Sequence, residues 1–185
     1  GAYVKASEKL HLGLTYHSSV LMKVTQGKAV FENIPEPAKG NFPLGTNFKT
    51  ELPLPAEFAA GLSYRFSPKT IGTFDVNYTY WKTFDYQINT PAVTDAKSPR
   101  LYKNASAFRA GIQHRASKYS TVRVGAFYDK TPVQDGYVAP ELPDNNKIGL
   151  TAGASFILDS RLMLDLSLLY ENVPSRTQTN IESGL

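Results

Sequence analysis

The stretch Ile71–Asn89, IGTFDVNYTYWKTFDYQIN, decides the fold of this chain. Its even positions carry Phe74, Val76, Tyr78, Tyr80, Phe84, Tyr86 and Ile88, and its odd positions carry Asp75, Asn77, Thr79, Trp81, Thr83, Asp85 and Gln87. Alternation of apolar and polar side chains with a period of two belongs to a β-strand with one greasy and one wet face. Only Gly72 and Lys82 interrupt the apolar row. At roughly 3.3 Å per residue the stretch reaches about 60 Å, several times the common strand length. Such a strand, with tyrosines at several heights, suits a barrel wall that crosses a membrane and continues beyond it.

The same alternation recurs on both sides of this stretch. Ala56 to Phe66 sets Phe58, Ala60, Leu62 and Tyr64 against Glu57, Gly61, Ser63 and Arg65. His11 to Val24 sets Leu12, Leu14, Tyr16, Val20 and Met22 against Thr15, His17, Ser19 and Lys23, and Ala2 to Ala6 reads as a strand end. Downstream, Asn104 to Ala116, Thr121 to Asp129, Asn146 to Leu158 and Arg161 to Glu171 alternate in the same way. The reading is therefore all-β, an antiparallel up-and-down barrel built from about eight strand segments.

The connections sort into two kinds. Ser7-Glu8-Lys9, Ser67 to Thr70, Ser117 to Tyr119 and Asp159-Ser160 are tight, whereas residues 25–55, 90–103, 130–145 and 172–185 are long, polar or proline-rich and read as irregular outer loops. Short turns on one side and long loops on the other mark barrels of bacterial outer membranes. Tyr16, Tyr64, Phe66, Phe84, Tyr86, Tyr128, Phe156 and Tyr170 fall near strand ends on the apolar face, where interfacial girdles belong. The opposite face carries Arg65, Asp75, Arg109, Arg115, Arg123, Asp129, Asp165 and Glu171. Unpaired, these charges would be costly in a dry core, but they are well solvated in a wet lumen.

Composition narrows the function. The 185 residues are 42% hydrophobic and 19% charged, enough for one ordered domain, and no run approaches the roughly 18 apolar residues of a membrane helix. There is no cysteine, hence no disulfide framework. Basic residues are scattered singly along strands and turns, which argues against a nucleic-acid partner. Gly1 to Lys5 already reads as strand, so the sequence reads as a piece of a longer or processed chain. His11, His17 and Ser19 share a strand face, yet successive residues on one face lie roughly 7 Å apart, too far for a Ser–His pair. The three histidines lack metal-ligand company, and no glycine-rich phosphate loop occurs. No enzyme activity, cofactor or metal is expected. Alternation alone leaves open a soluble antiparallel barrel or sandwich with the faces reversed, a soluble lipid-binding β-barrel among them; strand length, loop asymmetry and tyrosine placement favour the membrane.

An ordered set of motifs carries a family resemblance. Tyr102-Lys103-Asn104-Ala105, Phe108-Arg109-Ala110-Gly111, the run Val122 to Val133 (VRVGAFYDKTPV) and Leu142-Pro143-Asp144-Asn145-Asn146-Lys147 occur in an order and spacing similar to the C-terminal portion of the long-chain fatty acid outer-membrane transporters of the FadL and TodX type. Trp81 followed by Phe84, and Gly13-Leu14-Thr15-Tyr16 near the start, agree with that pattern. The resemblance implies a transmembrane barrel of fourteen strands, plugged by an N-terminal hatch. Such a barrel takes up hydrophobic compounds at its outer face and releases them sideways through a kinked strand without an energy source. Residues 1–185 would then be a single barrel segment lacking the hatch, the early strands and the final strand. Its partners would be a long-chain fatty acid or another hydrophobic small molecule, with membrane lipid or detergent around the wall. The competing function is a structural or adhesive barrel whose long loops bind partners.

Capture of a fatty acid needs an apolar slot and a basic group for the carboxylate. Phe31, Ile34, Phe42 and Phe48 are apolar residues unusual for an outer loop; they are candidates for a ligand groove, or for packing of that loop on itself. In the family a basic residue just before the strand that opens at Tyr102 helps hold the head group. That position falls on Ser98, flanked by Lys97 and Arg100 with Lys103 nearby, which makes these three the candidates. Trp81, Arg109, Arg115, Arg123 and Asp129 are expected to line the lumen, touching ligand or hatch or pairing with one another across strands.

Overall fold

The alternating segments assemble into one wide sheet. The computed structural model describes residues 1–41, 46–83, 86–90, 93–98, 101–138 and 143–177. Its strands, in chain order, are β1 (Ala2–Lys5), β2 (Leu10–His17), β3 (Val20–Ala29), β4 (Thr46–Leu54), β5 (Glu57–Ser67), β6 (Thr70–Thr79), β7 (Tyr86–Thr90), β8 (Val93–Ser98), β9 (Ala105–Arg115), β10 (Ser120–Asp129), β11 (Lys147–Ile157) and β12 (Met163–Asn172). An eight-stranded sheet has the order β1-β2-β5-β6-β9-β10-β11-β12, and a second sheet has the order β3-β4-β7-β8. All pairings are antiparallel. Among the described residues β1 pairs only with β2 and β12 only with β11, so the wide sheet is open at both edges.

Register makes the two faces chemically distinct. One row across the sheet runs Leu12, Leu62, Phe74, Ala110, Ala126, Leu150 and Tyr170. The adjacent row of the other parity runs Gly13, Gly61, Asp75, Arg109, Phe127, Gly149 and Glu171. In the wide sheet, apart from Ser67↔Thr70 beside the β5–β6 turn, even residues meet even residues, and so the apolar sides of its strands fall on one common face. β5, β6 and β9 to β12 are ten or eleven residues long, the length with which a tilted strand crosses a bilayer of ordinary thickness.

Among the described residues, the apolar face is left largely open. Phe74 is 43%, Leu150 55% and Leu164 44% exposed, and no large side chain among the described residues is fully buried. A sheet with a single apolar face of this extent is untenable in water and at home against lipid tails. Aromatic pairs bracket it. Tyr64 and Phe66 meet edge to face at 5.0 Å near the tight turns, and Tyr78 and Tyr80 do so at 5.0 Å near the long connections.

The tight turns share one device. The Ser7 hydroxyl accepts the amides of Lys9 (3.2 Å) and Leu10 (3.0 Å), and the Ser117 hydroxyl accepts those of Tyr119 and Ser120 (both 3.0 Å). Asp159 Oδ1 accepts Arg161 N (2.6 Å) and Leu162 N (3.0 Å), and the Ser67 hydroxyl accepts Lys69 N at 3.2 Å. A short polar side chain that bonds the backbone two or three residues on closes a hairpin locally.

Three expectations need correction. Ile71–Asn89 is not one strand: β6 stops at Thr79, Trp81–Thr83 form a 3-10 turn, and β7 joins the second sheet. Tyr80 O accepts both the amide (3.2 Å) and the hydroxyl (2.9 Å) of Thr83, and Lys82 N donates to Asn104 Oδ1 (3.1 Å), so these backbone groups leave the ladder. His11 to Val24 is likewise divided between β2 and β3. Residues 25–55 and 90–103 are not irregular throughout, for β3 pairs with β4 from Val20↔Leu54 to Ala29↔Thr46, and β8 occupies Val93–Ser98. A register shift between Val24 and Gly27 disguises the period of β3. Pro53 sits where β4 pairs with β3 but lies beyond its pairing with β7, so its missing N–H costs no ladder bond on that side.

Candidate functional site

The polar face carries a ladder of charge built by cross-strand register. Asp75 of β6 stands opposite Arg109 of β9, whose guanidinium reaches Asp75 Oδ1 at 3.4 Å and Asn77 Oδ1 at 2.8 Å. Nearer the tight turns, Arg123 of β10 donates to Gln113 Oε1 (2.9 Å) and Ser155 Oγ (2.6 Å), while Ser155 donates to Asp165. Asp165 lies 3.9 Å from Arg123, which closes a chain of partners over four strands. Asp75, Arg109, Arg123 and Asp165 remain about half exposed, so the pairs face solvent and fix side-chain positions more than they stabilise the sheet. A trough of about 730 Å³ lies along this face. Phe127 interrupts its polarity by lying over Gly149, where an added Cβ would come within 2.0 Å of the ring.

At the end of the sheet that carries the long connections, a smaller pocket of about 390 Å³ is lined by Trp81, Tyr102, Asp129 to Val133, Pro143 to Asn145 and Lys147. Its volume falls within the range of small-molecule pockets, roughly 300–1,000 Å³. Apolar walls come from Trp81 and Tyr102, which meet edge to face at 6.1 Å, and from Val133 and the prolines. Tyr102 and Val133 are among the few buried apolar residues within the described part of the chain. The polar groups are matched to one another: Thr131 Oγ1 donates to Asp144 Oδ2 (2.6 Å), Lys147 Nζ lies 3.2 Å from Asp144 Oδ1, and Lys147 pairs across the ladder with Asp129. Thr131 N donates to Asn146 Oδ1 at 2.9 Å, and Lys103 N to Pro132 O at 2.8 Å. The pocket is thus a knot of three connections over the ends of β9, β10 and β11.

The residues singled out from the sequence divide among three places. Arg109 and Arg123 stand on the polar face with cross-strand partners, and Arg115 lies on the same face, opposite Thr121 near a tight turn. Asp129 lines the pocket. Trp81 also lines it, from the 3-10 turn rather than from a strand of the polar face; this departs from the expectation and follows from the end of β6 at Thr79. Phe48 belongs to β4, where its ring crosses Gly27 of β3, and Phe31 (36% exposed) and Ile34 (half-buried) follow β3. Lys103 is exposed, next to the buried Tyr102. Lys97 lies in β8 opposite Gln87; its side chain, Arg100 and Phe42 fall outside the described residues. Thr131, Asp144, Lys147 and Tyr102 were not among the candidates, although the runs YDKTPV and LPDNNK contain three of them; those runs entered as motifs of the resemblance, and nothing local in them announces the bond between Thr131 and Asp144.

Solved structures with the same fold include a FadL homologue of Pseudomonas aeruginosa (TM-score 0.77, 21% identity, covering 91% of this chain and 41% of that one). Others are the CymD monoaromatic hydrocarbon channel (TM-score 0.57, 20% identity, 91% and 44%) and the P. putida toluene transporter TodX (TM-score 0.59, 18% identity, 89% and 39%). The chain therefore spans less than half the length of these proteins, and at such identities the likeness establishes the fold. No curated protein matches the sequence. The family model for outer membrane transport proteins of the OMPP1/FadL/TodX type matches residues 1–182; the chain belongs to that family, and with it to the bacterial outer membrane.

Proposed function

We propose that this chain is part of the wall of a channel that admits hydrophobic compounds, long-chain fatty acids among them, across the outer membrane by diffusion. The observation that carries this reading is the pocket at the long-connection end, with Trp81 and Tyr102 as its aromatic walls and the polar trough beginning on the same sheet. A hydrophobic solute leaves water most readily where aromatic side chains offer a partly enclosed surface, and a pocket at the channel mouth raises its local concentration. A fatty acid also needs a cation for its carboxylate, and exposed Lys103, adjoining Tyr102, is the candidate beside this pocket.

A second reading concerns the ligand class. The ammonium of Lys147 is already matched by Asp144 at 3.2 Å, which favours a neutral aromatic compound inside the pocket itself. The full-length protein, refolded in phospholipid vesicles, separates the two when titrated with oleate and with toluene while Trp81 fluorescence is followed. A Trp81→Phe variant identifies the share of emission that Trp81 supplies. Saturable responses to oleate that weaken several-fold in Lys103→Ala, with toluene unaffected, support the fatty acid reading. A response to toluene alone supports the neutral ligand, and no response to either removes the pocket from the transport path.

A further inference from the structure

The segment that follows β12 turns back over the long-connection end and inserts one side chain into the loop between β10 and β11. Arg176 Nη2 donates to Asp135 Oδ1 at 2.7 Å and to Val133 O at 3.0 Å, its Nε reaches the same Asp135 oxygen at 3.1 Å, and its Nη1 reaches Asp144 O at 3.4 Å. Asn145 Nδ2 returns a bond to Pro174 O at 2.8 Å. The Arg176 side chain is only 16% exposed, although its carboxylate partner is 90% exposed. A guanidinium buried to this degree among backbone carbonyls is held by geometry, and a planar fork of five donors can bridge two loop segments where an ammonium cannot.

What it bridges matters. Val133 and Asp144 are both walls of the pocket, and Asp144 also engages Thr131 and Lys147. We infer that Arg176 is the positioning residue of this pocket: by joining the two arms of the β10–β11 connection through Val133 O and Asp144 O, it holds the pocket open in its ligand-ready shape before any solute arrives. The inference rests on the pocket being part of the transport path, as proposed above. It goes beyond that reading by assigning the pocket's shape to a residue that does not line it.

The test uses the full-length protein in vesicles, in wild-type, Arg176→Ala and Arg176→Lys forms. Amide exchange of residues 130–138 and 143–147 is measured without ligand, and toluene and oleate titrations are followed through Trp81. In Arg176→Ala, exchange in those two segments is expected to rise at least tenfold with no change in β9 to β12, and the midpoint for the bound probe to rise at least fivefold. Arg176→Lys is expected to fall between, because the charge remains while the two-armed contact is lost. Unchanged exchange in Arg176→Ala overturns the inference, as does faster exchange with an unchanged midpoint, since Arg176 would then order the loop without shaping the pocket. A wild-type protein that binds neither probe overturns the transport reading and the inference together, whereas equal binding by wild type and Arg176→Ala overturns the inference alone.

Discussion

Gly149→Ala is expected to destabilise the wide sheet by crowding the ring of Phe127. A methyl group at that position would lie 2.0 Å from Cε1 and 2.2 Å from Cζ of Phe127, the residue directly opposite on β10. Carbon atoms in contact sit about 3.5–4 Å apart, so the ring must give way by about 1.5 Å or swing off the strand. Overpacking of this kind costs about 1–3 kcal/mol, offset by the roughly 0.5–1 kcal/mol gained when alanine replaces glycine in a strand. The net loss expected in the single variant is about 0–2.5 kcal/mol. In a Phe127→Ala background the obstacle is gone, and the same substitution should stabilise by about 0.5–1 kcal/mol. The coupling between the two sites is then the overpacking cost itself, about 1–3 kcal/mol. Urea unfolding of the full-length protein in vesicles, carried through the four members of the cycle, measures it. If Gly149→Ala costs the same with and without Phe127, the ring does not cover the glycine and the packing described for the polar face is wrong.

Two further predictions concern charge. Exchanging Asp75 and Arg109 (Asp75→Arg with Arg109→Asp) should restore most of the loss seen in either single variant, with a coupling of about 0.2–1 kcal/mol that fades at high salt, because the pair is half exposed. Asp144→Ala removes the acceptor of Thr131 and the carboxylate that Lys147 meets at 3.2 Å; it should weaken toluene binding while strengthening oleate binding several-fold, since an ammonium inside the pocket loses one of its carboxylate neighbours. Equal effects on both ligands would show that Lys147 does not face the solute.

Much of the wide sheet was legible because alternation is a property of each strand by itself. Phe74 to Tyr78 and Arg123 to Tyr128 declare their faces without reference to any neighbour, and the register that aligns them follows from tight turns closed by Ser7, Ser67, Ser117 and Asp159. The break at Trp81 was not legible. Apolar residues continue at Tyr80, Phe84 and Tyr86 as though the strand ran on, and one of the groups that ends the ladder, the Asn104 amide oxygen, arrives from 22 residues away. The second sheet was hidden for a related reason: a register shift before Gly27 and the proline at 53 remove the period from strands that are nonetheless paired. The pocket was the least visible part, because Thr131 and Asp144, 13 residues apart, meet only once β10 and β11 have paired.

Single-cysteine labelling tests the direction of the two faces directly, since residues 1–185 contain no cysteine. Spin labels placed one at a time at Val124, Leu150 and Leu166, and at Thr151 and Ser167, can be compared for collision with lipid-dissolved oxygen and with a water-soluble nickel complex in the vesicle-bound full-length protein. The first three positions are predicted to meet oxygen and exclude nickel, and the last two to do the reverse. Labels at Thr151 and Ser167 that meet oxygen while those at Val124, Leu150 and Leu166 meet nickel would contradict that direction.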